Sequence, residues 1–159
     1  MSRARNIRRL AGLYRKAESQ GVCVYCGETA TTWDHFLPVA VAARLIEMQA
    51  LQGGLVLLPS CRDCNGLAGA RIFTTVAAKR RFLKQRIAER AAKYLQAPVW
   101  TEEELGELGW ELQTEINRAE AERERALRRL AWRTVGKVGD AWLVKIRFRS
   151  GASGKTSAR

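Results

Sequence analysis

Histidine is almost missing from this chain, with one among 159 residues, and the only four cysteines are confined to two short clusters. No run of about 18 apolar residues occurs, which excludes a membrane-spanning helix. The opening residues, Met-Ser-Arg-Ala-Arg-Asn, lack the apolar core of a secretory signal, so a cytoplasmic protein is expected. Acidic residues are scarce: 16 Asp and Glu stand against 28 Lys and Arg, a net charge of +12 with a pI near 10.3. Such an excess implies a polyanionic partner, with nucleic acid the leading candidate, since an acidic membrane surface usually needs an anchoring apolar face as well. An apolar content of 47% is ordinary for a folded domain and argues against wholesale disorder.

The charge is unevenly spread. Residues 1–16 carry six basic residues and no acid, residues 17–122 are net −3, and residues 123–159 are net +9. Basic ends of this kind neutralise phosphates and release counterions, giving affinity without base readout. Arg3, Arg5, Arg8 and Arg9 at one end, and Arg128, Arg129, Arg133, Lys145 and Arg147 at the other, are the candidate nucleic-acid contacts. The bland alternative is a solvated helix face laced with Glu–Arg pairs, which the stretch from Glu120 to Arg125 favours.

Periodicity predicts a mainly helical α+β chain. Ile7, Leu10, Tyr14 and Ala17 suggest an amphipathic helix over 4–19, stopped at Gly21. Thr31-Thr32-Trp33 is β-prone, Pro38 breaks that strand, and 39–51 reads as helix ended by Gly53-Gly54. Leu55–Leu58 is a short apolar strand. Ile72, Val76, Leu83, Ile87, Ala91 and Tyr94 mark a helix closed by Pro98. Thr101 and Glu104 form a capping-box signature for a helix running to about Arg133, with Leu105, Leu108, Leu112, Ile116 and Ala119 on one face. Residues 141–148 suggest one strand, and the last ten residues a flexible tail. The expected organisation is a basic N-terminal helix (1–21), a core with its following helix (22–97), a helical extension with one strand (98–149) and the tail (150–159).

All four cysteines lie in C-x-x-C pairs, Cys23/Cys26 and Cys61/Cys64. Each such turn offers two thiolates to a tetrahedral metal, and two turns close a four-thiolate shell that suits structural zinc. Disulfides, a redox pair and an iron–sulfur cluster are the competing uses. His35 is left over as a general base. Beside it, Asp34 and Asn65 offer hard oxygen donors for Mg²⁺ or Mn²⁺. The plainer readings are a turn or cap for Asp34 and a helix N-cap for Asn65.

Cys-x-x-Cys, then Trp-Asp-His-Phe-Leu-Pro, then Leu-Leu-Pro-Ser-Cys-x-x-Cys-Asn resembles the HNH endonuclease family, in its zinc-stapled ββα-metal subclass. The likeness covers residues 23 to about 71. It implies a small zinc-bound ββα-metal core, with an N-terminal helix and a long C-terminal helical extension added by this chain. It also implies His35 as the base that deprotonates water, Asp34 and Asn65 as ligands of a catalytic Mg or Mn, and DNA as substrate. Arg71 stands nearest the place of the family's usual lysine and is expected to contact phosphate in its stead. Small HNH proteins of this type are common in phages and prophages, some beside packaging genes. The resemblance therefore extends to phage packaging machinery as a partner, and to a bacterial or phage-infected host as the setting. Gly54 occupies the place of the family's middle asparagine. This departure motivates a second expectation, a non-catalytic or partner-dependent DNA-binding scaffold on the same frame.

Overall fold

The computed structural model describes residues 10–52, 55–133 and 145–146, which form an α+β fold. A single 3-10 turn, Ala11–Leu13, leads into strand β1, Tyr14–Lys16. Strand β2 is Thr32–His35, helix α1 is Val39–Glu47, strand β3 is Leu51–Gln52 and strand β4 is Leu55–Ser60. Helices α2, Arg62–Ala68, and α3, Val76–Leu95, follow. Then come α4, Glu102–Gly106, and α5, Trp110–Ala131, with strand β5 at Lys145–Ile146.

The expected helix over 4–19 is replaced from Tyr14 onward by strand. β1 lies parallel to β4, with Tyr14 opposite Leu55 and Lys16 opposite Leu57. β-pairing uses Tyr14 and Lys16 on one face, a period of two that overrides the helical spacing of Leu10, Tyr14 and Ala17. β2 runs antiparallel on the other side of β4, with Asp34 opposite Leu58 and His35 opposite Leu57. Of the strand expected over 141–148, residues 145–146 form β5, antiparallel to β3, and the rest lies outside the described residues.

The sheet separates two cores. On one face, Val56 and Leu58 join the four cysteines, Tyr25, Phe36, Leu83 and Ile87. On the other, Leu55 joins Leu10, Leu37, Ala42 and Leu45. Each fully buried leucine or isoleucine here contributes about 1.5–3 kcal/mol relative to exposure.

Thr75 caps α3 by accepting a hydrogen bond from the Ala78 amide at 2.9 Å, so Ile72 lies outside the helix and is exposed. The capping box of Thr101 and Glu104 is present. It opens only the short α4, because the helix is interrupted between Gly106 and Gly109 before α5 begins. Gln113 bridges the break by donating to the carbonyls of Leu105 and Leu108, each at 2.8 Å. α5 returns antiparallel along α3. Lys84 donates to the Leu130 carbonyl at 2.5 Å and Arg80 to that of Trp132 at 2.6 Å, so two cations close the negative end of α5. No helix among the described residues is long and apolar enough to cross a membrane.

Candidate metal centre and active site

The four cysteines come from two turns locked by local backbone bonds. Val22 and Thr29 form an isolated antiparallel bridge, and Gly27 turns the chain at φ +77°, a conformation that suits a residue without Cβ. On the other side Cys61 is the N-cap of α2, its sulfur accepting from the Cys64 amide at 3.4 Å. Asn65, for which an N-cap was the plainer alternative, sits inside that helix instead. All four Sγ atoms are buried and lie within 4.8 Å of one another, and Cys26 and Cys61 approach to 3.7 Å. A tetrahedron of sulfurs about 2.3 Å from zinc has edges of about 3.8 Å, so the cluster is compatible with structural zinc. All four cysteines are free of disulfides. The thiols compete for protons: hydrogen bonding to Cys26 lowers Cys23, and hydrogen bonding to Cys23 raises Cys26 and Cys64.

Helix α5 reaches this cluster. Arg129, only 7% exposed, pairs with Asp63 at 2.7 Å and lies 3.6 Å from Cys64 Sγ. Burial works against its charge, but hydrogen bonds to Asp63 and Cys64 outweigh it and the guanidinium pKa is raised. Arg129 therefore departs from the expected role in nucleic-acid contact. It faces inward and sets positive charge against a cluster of sulfurs. Arg125 pairs with Glu28 at 3.3 Å, and the Trp132 ring lies so close to Gly27 that a Cβ there would overlap it. Three residues of the C-terminal extension thus pack on the two cysteine turns.

Strand β2 distributes the remaining candidates over two faces. Thr32 and Asp34 look toward α2 and α3, and Trp33 and His35 toward β1. Asn65 Nδ2 donates to Thr32 Oγ1 at 3.3 Å, tying α2 to β2. His35 meets the Tyr14 ring edge-on, centroids 4.7 Å apart, and Lys16 lies over Trp33 at 5.0 Å. An open cleft of about 630 Å³ takes in both sides at this end of the sheet; Asp34, His35, Arg62 and Asn65 are among the residues lining it.

Asp34 is buried, and its Oδ2 accepts from the Tyr25 hydroxyl at 2.5 Å and from Lys79 Nζ at 2.6 Å. Lys79 is itself enclosed, its ammonium 5.4–5.8 Å from the rings of Tyr25, Phe73 and Phe36. Burial first, and then the Asp34 charge, push the Tyr25 hydroxyl pKa well up, so it stays a donor. Lys79 was not among the residues that composition and motif single out. Its signal is phase: Lys79, Leu83, Ile87 and Ala91, four residues apart, are the buried stripe of α3.

Of the other expected nucleic-acid contacts, Arg71 is exposed and stacks over Phe82 at 4.8 Å. Arg128 is exposed and pairs with Glu124 at 3.4 Å, and Arg133 is exposed. Arg3, Arg5, Arg8, Arg9, Arg147, the side chain of Lys145 and the backbone of Gly54 lie outside the described residues. Comparison of the chain with protein-family models, with curated proteins and with solved structures found no match.

Proposed function

We propose that this chain is a metal-dependent endonuclease of HNH type that hydrolyses DNA phosphodiester bonds. The observation that carries the reading is the ββα unit of β2, β4 and α2, which brings Asp34, His35 and Asn65 to one cleft beside a four-sulfur cluster. Zinc in that cluster would be structural, because four thiolates leave no open position for water. His35 takes the proton of the attacking water. Asn65 and Asp34 are the candidate holders of Mg²⁺ or Mn²⁺. When bound, that cation would stabilise charge on the scissile phosphate and leaving oxygen. Arg62, at the same cleft, offers a fork of donors to a non-bridging oxygen.

A second reading is favoured by Asp34. One of its oxygens is already engaged by Lys79 and Tyr25, which suits a structural carboxylate as well as a ligand. On that reading the frame binds DNA without cutting it, alone or with a partner such as phage packaging machinery. Supercoiled plasmid with Mg²⁺ or Mn²⁺ separates the two. The nuclease reading expects relaxed or linear product, lost in His35→Ala while one zinc per chain is retained. Binding without cleavage, or equal cleavage by the variant, overturns it.

A further inference from the structure

A second open cleft, about 800 Å³, lies on the opposite flank of α2 from the His35 cleft. Arginines from three helices line it: Arg62 of α2, Arg86 and Arg90 of α3, and Arg125 of α5. Arg62 and Gly66 line both clefts, so the two meet along α2. Arg62 lies in the short core, Arg86 and Arg90 on the helix that follows it, and Arg125 in the helical extension. Arg62, Arg86 and Arg90 were not among the contacts expected from the charge of the two chain ends, whereas Arg125 belongs to the basic C-terminal stretch.

We propose that this second cleft is a phosphodiester-backbone track for DNA, continuous with the His35 cleft. Its continuity with catalysis rests on the nuclease reading; its binding of DNA does not.

The lining favours phosphate over other partners. Its cations among the described residues are all arginine, whose planar fork matches phosphate oxygens in pairs. Among the described residues no aromatic ring lines it, so they offer it neither the stacking platforms that hold bases nor the anchors that dominate protein interfaces. Arg86 and Arg90 sit one turn apart on α3, about 6 Å along its axis, and repeat the same donor group along one wall.

The two acids in the lining, Glu28 and Asp63, leave the four arginines in excess. The existing pairs are also easily exchanged. Arg86 pairs with Glu89 on an exposed helix face, and the Arg125–Glu28 contact is long at 3.3 Å. Exposed pairs of this kind are worth about 0–1 kcal/mol. Arg90 holds Asp63 Oδ1 at 2.6 Å, but Asp63 Oδ2 is held independently by buried Arg129 at 2.7 Å. Arg90 can therefore turn to a phosphate without stranding the carboxylate.

The test measures binding of a fluorescent DNA duplex to full-length, zinc-loaded His35→Ala protein across a salt series, so that cleavage plays no part. Adding Arg86→Gln and Arg90→Gln is expected to weaken binding at least tenfold near 0.1 M salt. The slope of log affinity against log salt should become shallower by about 1.8, two phosphate contacts' worth. Zinc content and thermal melting should match the parent. Should that pair fail to fold, Arg62→Gln with Arg125→Gln carries the same expectation. An unchanged slope overturns the track. So does an equal dependence on these arginines for polyglutamate, which would mark an acidic-protein site instead. A slope that falls in a chain showing no plasmid cleavage leaves the track standing and removes the nuclease reading.

Discussion

Replacing Lys79 with methionine removes a buried charge while keeping most of the stem that fills the space among Tyr25, Phe36 and Phe73. The two partners are nearly sealed, with side chains 2% and 5% exposed for Lys79 and Asp34. At 2.6 Å the gross attraction is about 6 kcal/mol for an effective dielectric near 20. Much of it offsets the cost of taking both ions out of water, so the pair itself adds little net stability. Breaking it from one side is different, because Asp34 is then left charged and buried, at a typical cost of about 3–5 kcal/mol. The Tyr25 hydroxyl still donates to the same oxygen, which places the expected loss near the lower end, about 3 kcal/mol. Urea unfolding of zinc-saturated protein should show this as a midpoint lower by about 1–2 M at an unchanged slope. Lys79→Met combined with Asp34→Asn removes both charges and should recover most of the loss. A single variant costing under about 1 kcal/mol would refute the buried-pair account, and so would a double variant no more stable than the single.

Arg129→Gln should speed zinc loss to a chelator by about tenfold, by weakening the contact beside Cys64, while leaving the salt slope of DNA binding unchanged. A shallower slope with unaltered zinc retention would return Arg129 to the nucleic-acid surface. Gly27→Ala forces an L-residue to φ +77° and drives a Cβ into the Trp132 ring, so stability should fall by about 1–3 kcal/mol, read from the melting temperature. Burial raises the Tyr14 hydroxyl pKa to about 12, against an ordinary value of 10.0. The unfolded chain ionises first, so the contribution of neutral Tyr14 is full below pH 10 and lost as pH rises through about 12. Tyr14→Phe should flatten stability over that alkaline window, measured by denaturant midpoints at stepped pH.

The parts of the site that sequence made legible are those fixed by near neighbours. Each C-x-x-C pair closes within a turn, and the cap of α4 lies three residues from its partner. Strand β2 was visible because β-prone residues precede Pro38. β1 was not visible: Tyr14, Arg15 and Lys16 become strand only because β4, about 40 residues away, offers an edge. The break between α4 and α5 was masked by a leucine stripe that runs on past Gly106 and Gly109.

The two inward-facing cations show the same division most clearly. Residue type places Lys79 and Arg129 on the surface, and bulk charge assigned the second of them to DNA. Helical phase alone puts Lys79 in line with Leu83 and Ile87, and Arg129 three residues after buried Ala126. Phase says which face a residue is on, but only the packed partner makes burial of a charge tolerable.

By itself, then, the sequence determined the chemistry available: four thiols paired for a metal, one imidazole beside a carboxylate, and a positive excess at both ends. Tertiary structure alone decided the employment of those groups. One oxygen of Asp34 is held by Lys79 and Tyr25, Arg129 faces the sulfur cluster, and four arginines from three helices converge on one cleft. Spacing along the chain sets which atoms can meet within a turn. Which charges are desolvated, and against what, depends on contacts between segments that the chain brings together only on folding.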